Sequence, residues 1–199
     1  MKRQPVKEIK LGDKVLRIFA DESPESPRSW DNMAKFICFH KRYSLGDKHE
    51  YRHDDYAGWD EMKQAIIKKE KAVIVKPLYM YDHSGITIST SPFSCPWDSG
   101  KIGFVIATAK DVRECFGVKR ITKKILERAE KNLDGEVKTY DQYITGDVYG
   151  FQIVKVTTCS EGHEHEEEDS CWGFYGNDFA NNGIADDLDE EFKEALKAA

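Results

Sequence analysis

The sequence lacks the segments that mark several common classes of protein. No apolar run approaches the roughly 18 to 20 residues that cross a bilayer, and no apolar signal segment follows the charged start Met1–Glu8. A glycine-rich phosphate loop, a G-x-S-x-G turn and a helical H-E-x-x-H are also missing. These absences predict a cytoplasmic protein without a membrane partner, and they exclude the enzyme classes that these motifs mark.

Cysteine is scarce and odd in number, with five residues in 199. An odd count in a chain without a signal segment favours reduced thiols over a disulfide framework. We therefore expect most of these cysteines to be small core residues.

Charge is unevenly distributed along the chain. The 36 acidic and 30 basic residues give a net charge of −6, but residues 161–199 hold 13 acidic and only 2 basic side chains. With 40% hydrophobic residues, this length suffices for one well-buried core. We predict a single domain over 1–199 with an acidic C-terminal region at 161–199. This uneven charge suits an anionic partner for residues 1–160 or a cationic partner for the acidic C-terminal region.

Hydropathy patterns predict short strands in consecutive hairpin-like pairs and helices that do not alternate regularly with them. The expected strands are residues 14–20, 34–40, 72–81, 86–90, 101–108, 149–158 and 171–175, and the expected helices are 56–69, 109–117, 122–145 and 187–197. Pro77 lacks an N–H, so its strand should lie at an edge or carry a bulge there. The order favours an α+β fold with a mainly antiparallel sheet, one long helix and several short ones.

Two neighbouring loops carry the residues that are best able to take part in catalysis. Asp82 and His83 lie in a predicted turn, where an imidazole could act as a general base. If the intervening strands pair, Cys95 could be the nucleophile and Asp98 could orient the imidazole. Alternatively, Asp82 forms backbone hydrogen bonds in an ordinary turn and no catalytic group is present.

The same loops also suit recognition of another protein. Aromatic and charged side chains there would give a partner a large contact area; the candidates are Tyr81, His83, Trp97 and Asp98. The alternative is that Trp97 fills the core and its loop is structural. We favour a structural or recognition role over a thiol enzyme.

A cysteine- and histidine-containing segment joins the last two predicted strands. Cys159, His163, His165 and Cys171 have the spacing C-x₃-H-x-H-x₅-C, and zinc accepts thiolate and imidazole ligands. The spacing matches no standard zinc finger. A solvated acidic loop, with the two cysteines paired across the strands as apolar residues, is the alternative.

Basic residues cluster at the start of the long predicted helix. A helical face opposite the apolar stripe would carry them; they are Arg120, Lys124, Arg128 and Lys131. A second patch between residues 42 and 56 has three tyrosines interleaved, a mixture that suits single-stranded nucleic acid. For the first patch we favour an ordinary solvated helix face, and the second patch is explained equally well as a long loop between a strand and a helix.

Carboxylates gather again at the C-terminal predicted helix. Regularly spaced carboxylates can imitate duplex phosphates and occupy the DNA site of another protein; the candidates are Asp186, Asp187, Asp189, Glu190 and Glu191. They could instead stabilise the helix dipole and aid solubility.

Several motifs together resemble a known group of proteins. They are Leu78-Tyr-Met-Tyr-Asp-His-Ser-Gly85, Phe93-Ser-Cys-Pro-Trp-Asp-Ser-Gly100 with Gly103-Phe104, Gly117-Val-Lys-Arg120, Thr139-Tyr-Asp-Gln-Tyr143 with Gly146-Asp-Val-Tyr-Gly150, and Asp169-Ser-Cys-Trp-Gly-Phe-Tyr-Gly176. Across residues 30–180 the chain resembles a family of small proteins encoded on phages, plasmids and conjugative elements of Gram-positive gut bacteria. The resemblance implies a mobile-element setting, in which proteins of this size are often anti-CRISPR or antirestriction factors. It carries over no catalytic residue.

These observations lead to one leading hypothesis and two alternatives. We expect a non-catalytic accessory protein, in the bacterial cytoplasm, that binds and inhibits a host defence protein or ribonucleoprotein such as a CRISPR effector nuclease. The first alternative is a metal-binding or thiol- and histidine-dependent enzyme, with zinc as its cofactor. The second is a protein that binds single-stranded nucleic acid directly.

Overall fold

The computed structural model describes residues 3–155 and 167–198. The chain divides into two compact units, each described here by itself. The central unit is Ser26–Asp141, and the terminal unit combines Met1–Glu25 with Gln142–Ala199.

The central unit is an antiparallel sheet with helices on both faces. Its strands have the order β3-β6-β4-β5. The elements are β3 (Lys35–Cys38), α1 (Trp59–Glu70), β4 (Ala72–Asp82), β5 (Ile86–Ser89), β6 (Ser99–Thr108), α2 (Ala109–Phe116) and α3 (Lys123–Thr145), whose last residues belong to the terminal unit.

Alternation along β3 explains the two faces of this sheet, because successive side chains of a strand point to opposite sides. Ile37 packs in a buried cluster with Met62 and Ile66 of α1. Its neighbour Phe36 meets the Tyr140 ring of α3 edge-on, with ring centroids 5.4 Å apart. The sheet is thus enclosed between α1 and α3.

The long helix α3 follows from its sequence period. Its buried residues Ala129, Leu133, Val137 and Tyr140 recur every three or four positions, which places them on one face. The Thr122 hydroxyl accepts the N–H of Ile125 at the start of the helix, satisfying one of the donors that a first turn leaves free. The prediction of a helix over 122–145 is confirmed.

Pro77 lies where its missing N–H costs no ladder hydrogen bond. On one side β4 pairs with β6 over most of its length, whereas β5 pairs on the other side only with Tyr79–Asp82. At Pro77 the strand is therefore an edge, and a register shift follows directly between Leu78 and Tyr79. The expected edge and the expected bulge both occur.

The terminal unit is a second four-stranded antiparallel sheet, in the order β1-β2-β7-β8. Its elements are β1 (Lys7–Leu11), β2 (Lys14–Ala20), β7 (Val148–Lys155), β8 (Glu167–Tyr175) and the helix α4 (Glu190–Ala198), which follows a short 3₁₀ turn at Ile184–Asp187. Leu188, Phe192 and Leu196 pack against Leu16 and Ile18 of β2 in one buried cluster.

The α+β class and the mainly antiparallel pairing are confirmed. The sequence patterns missed β1, because three of its five residues are charged and only Ile9 and Leu11 are apolar. In the described part of the chain, every helix is too short or too polar to span a bilayer.

Candidate functional site

An open cleft lies at the end of β4 where it meets the start of β6, and we call it the strand-end cleft. It has a volume of about 370 Å³, and its lining includes His40, Asp82, Trp97 and Asp98. The backbone N–H of Asp82 donates to the carbonyl of Asp98 at 2.8 Å. Pairing of β4 with β6 therefore brings together the two loops that the sequence analysis treated as neighbours.

Asp98 lies between the imidazole and the thiol that were expected to act together. Its Oδ2 is 3.3 Å from His83 Nδ1, and Cys95 Sγ donates to the same oxygen at 3.6 Å. A nucleophilic thiol needs the imidazole as its immediate base, but here the carboxylate takes that position. The four catalytic candidates, Asp82 among them, are brought together, yet in an order that does not suit thiol catalysis.

Asp98 and His83 do form the half of a triad in which a carboxylate orients an imidazole. The His83 side chain is 63% exposed, so water surrounds this contact and weakens its electrostatic effect. Catalytic pairs of this kind act in sites that exclude water. This contact therefore lies in water, unlike the carboxylate–imidazole pair of a closed catalytic site.

Asp82 is held from the opposite side of the cleft. The Tyr43 hydroxyl donates to both Asp82 oxygens at 3.3 Å, and Arg42 Nη1 lies 3.5 Å from Oδ2. His40 Nδ1 accepts the N–H groups of Arg42 and Tyr43, which fixes the backbone that presents them. His40 was not expected to be a site residue, whereas Tyr43 and Arg42 belong to the second basic patch predicted from the sequence.

Trp97 is the most exposed large apolar side chain among the described residues, at 92%. The alternative that Trp97 fills the core is therefore wrong. Nearby, the Tyr81 ring stacks on His83 at 6.0 Å and lies 5.7 Å from Phe93. An indole exposed to this degree on a loop of fixed aromatic neighbours is typical of an interface residue.

Lys101 also lines the cleft and has an unusual environment for a lysine. Its Nζ is 4.1 Å from the Phe104 ring centroid and 5.0 Å from that of Trp59. Burial lowers the pKa of Lys101 below its ordinary value, although Asp60 opposes this. The ring faces attract the ammonium, so Lys101 is held against Phe104 and Trp59.

The acidic candidates of the terminal unit form a continuous exposed stretch. Asp186, Asp187, Asp189, Glu190 and Glu191 are all exposed. Two lysines contact them, Lys14 at 3.9 Å from Asp189 and Lys193 at 3.0 Å from Glu190. The carboxylates accordingly face solvent while α4 buries its apolar face, and a cationic surface could reach them.

The basic candidates at the start of α3 are also exposed. The Arg128 guanidinium lies 5.0 Å from the Phe116 ring centroid. Within the described residues, Arg120, Lys124 and Lys131 form no ion pair. The second patch differs, because Tyr51 is buried and His49 Nε2 is bonded to the Cys38 carbonyl, so part of it belongs to the core.

Of the four candidate ligands in the cysteine- and histidine-containing segment, the described residues include one. Cys159, His163 and His165 lie outside the described residues. Cys171, on β8, is half-buried and pairs across the sheet with Phe151. Among residues 3–155 and 167–198, no group of three or more metal-ligating side chains is placed to hold an ion. Zinc binding stays a prediction.

A partly buried charge network in the central unit was not predicted from the sequence. The Arg28 guanidinium donates to both Asp47 oxygens at 3.1 and 2.7 Å and to the Ala34 carbonyl at 2.8 Å. Glu136 of α3 accepts the N–H groups of Met33 and Ala34, both at 3.0 Å, and burial raises the pKa of Glu136. These contacts tie two loops to the sheet and to α3.

Comparison with known proteins adds no functional assignment. The chain matches no protein-family model, no curated protein and no solved structure. The residues and their geometry therefore carry the functional argument.

Proposed function

We propose that the protein binds another protein through the strand-end cleft and has no chemistry of its own there. The observation that carries this proposal is the 92% exposure of Trp97 at the rim of the cleft. Exposing an indole is costly in water, and tryptophan is among the residues that most often dominate the binding energy of an interface. Asp98 and His83 beside it supply polar contacts.

The exposed carboxylates of the terminal unit support a partner with a basic surface. Proteins that process nucleic acids present such surfaces, because they neutralise phosphates with lysine and arginine. Carboxylates at Asp187, Glu190 and Glu191 would compete for the same surface. With the resemblance to mobile-element proteins, this supports inhibition of a host nucleic-acid-processing defence complex as the specific role.

The test begins with affinity capture from nuclease-treated lysate of a Gram-positive host, using the native chain and Trp97→Ala. The captured protein is then purified and its Kd measured with both forms. We expect Trp97→Ala to weaken binding by about 30-fold or more, the effect of losing a hot-spot residue.

Trp30→Ala is the matched control, since Trp30 is the other exposed tryptophan among the described residues, at 43%. It should bind the protein partner with native affinity. Equal Kd values for native protein and Trp97→Ala would refute the proposed interface. For the inhibitory role, the native chain should block the partner's nuclease activity and Trp97→Ala should not.

A further inference from the structure

A groove of about 340 Å³ lies between the loop that carries Trp30 and the middle of α3, separate from the strand-end cleft. Its lining includes Trp30, Asn32, Lys131, Asn132 and Gly135. All of these belong to the central unit. The volume lies within the range of sites that accept small ligands or single groups of larger ones.

Gly135 is the residue that leaves this groove open. A glycine in the middle of a helix weakens it relative to alanine, so such a glycine usually serves close packing. Here a Cβ at position 135 would meet no atom within 4 Å. No described residue fills this space. A ligand from outside the molecule would explain why a glycine stands at position 135.

The basic residues of α3 lead to this opening. Lys124, Arg128, Lys131 and Gly135 are spaced i, i+4, i+7 and i+11, so they follow one helical face. At 1.5 Å per residue the three cations, from Lys124 to Lys131, span about 10 Å, which matches about three phosphates of a stacked single strand at 3.4 Å each. The row therefore presents positive charge along a line that ends at the indole of Trp30.

The polar groups of the groove suit the edge of a base. Asn32 Nδ2 donates to the Pro27 and Trp30 carbonyls, and Asn132 Nδ2 donates to Glu136 Oε1. No described residue donates to the Oδ1 of either asparagine. Both amide oxygens can accept from the amino or imino groups of a base. The nearby carboxylate of Glu136 is occupied by the Met33 and Ala34 N–H groups.

We infer that the groove binds one unpaired base of a single-stranded nucleic acid, stacked on Trp30, while the basic row of α3 follows the adjoining phosphates. Stacking on an aromatic side chain and charge along the backbone are the two devices by which proteins hold single strands. A duplex keeps its bases paired and cannot place one in the groove. This surface is distinct from the one proposed for the protein partner.

The probe is a fluorescein-labelled single-stranded DNA of eight nucleotides and mixed sequence, followed by anisotropy with the full chain. We expect the single strand to bind at least tenfold more tightly than a duplex of the same sequence. Trp30→Ala should weaken binding by about 5- to 150-fold, the effect of losing one stacked base. Lys131→Gln should reduce the slope of log K against log salt by about 0.7.

Gly135→Leu places a side chain at the opening of the groove, where its Cβ meets no atom within 4 Å, and should abolish the preference for the single strand. Its fold is checked by circular dichroism and thermal unfolding. Lys68→Gln, at an exposed lysine of α1, is the control and should bind DNA like the native chain. Native affinity in Trp30→Ala and Gly135→Leu, equal binding of duplex, or no binding by the native chain would each overturn the inference.

Discussion

Arg28 depends on partners that come from three different segments of the chain. Its side chain is 10% exposed, and the Asp47 carboxylate meets it with two parallel hydrogen bonds. Neither residue stands out in the sequence, because they lie 19 positions apart in loops without a motif. By contrast, Asp82, His83 and Asp98 were predicted to meet, because a turn and a pair of strands bring them together.

Arg28→Lys should lower the free energy of unfolding by about 2 to 4 kcal/mol, because a lysine cannot reproduce the paired hydrogen bonds and leaves Asp47 partly buried without them. Urea unfolding measures the change. Arg113→Lys, at an exposed arginine of α2, should change stability by less than about 0.5 kcal/mol. A similarly small effect for Arg28→Lys would show that the network contributes little.

Tyr149 provides a pH-dependent contribution in the terminal unit. Its hydroxyl donates to Asp147 Oδ1 at 2.8 Å, and burial together with this carboxylate raises the pKa of Tyr149 to about 12. The unfolded phenol has a pKa of about 10. Its stabilising effect is therefore complete below about pH 10 and is lost as the pH rises through about 12.

The difference in tyrosinate absorbance between the native chain and Tyr149→Phe should titrate near pH 12. Asp147→Asn should move that titration toward pH 10, since the carboxylate that holds the phenolic proton is gone. A native difference that already titrates near pH 10 would contradict the assignment.

At the scale of elements, regular periodicity made the helices and most strands predictable. The α3 stripe of Ala129, Leu133, Val137 and Tyr140 is visible in the sequence and buried in the structure. The strand β1 was not predictable, since its charged residues do not stabilise a strand by themselves. It forms because it pairs with the edge of β2. The groove beside Trp30 was likewise not predictable from the sequence, because it forms only where the loop that carries Trp30 packs beside α3.

Gly135→Ala should raise the free energy of unfolding by about 1 kcal/mol, because alanine favours the helix and its Cβ meets nothing. Thermal unfolding measures this as a higher Tm. Gly146→Ala is the matched comparison at the end of α3, where φ is +75°; it should destabilise, since that conformation is strained for alanine. A lower Tm for Gly135→Ala would show that the glycine serves the fold.

At the scale of the whole molecule, the sequence predicted where charge accumulates but not what it contacts. Changing Asp187, Glu190 and Glu191 to lysine should abolish binding of the captured protein partner, measured as its Kd. The control changes Glu50, Asp54 and Asp55, exposed acids of the central unit, to lysine and alters net charge equally. Loss of binding in both triple variants, or in neither, would contradict a specific role for the C-terminal carboxylates.

The pairing of β2 with β7 also sets the order in which the protein can fold during its synthesis. Residues 14–20 leave the ribosome early, whereas their partners at 148–155 follow only after the whole central unit. At typical elongation rates the β1–β2 hairpin waits about 7 to 30 s with one edge unpaired. Folding of the central unit in that interval replaces a long flexible loop with an ordered body and lowers the entropic cost of closing the second sheet. Nascent chains stalled within the central unit should therefore be the form of this protein most prone to aggregate.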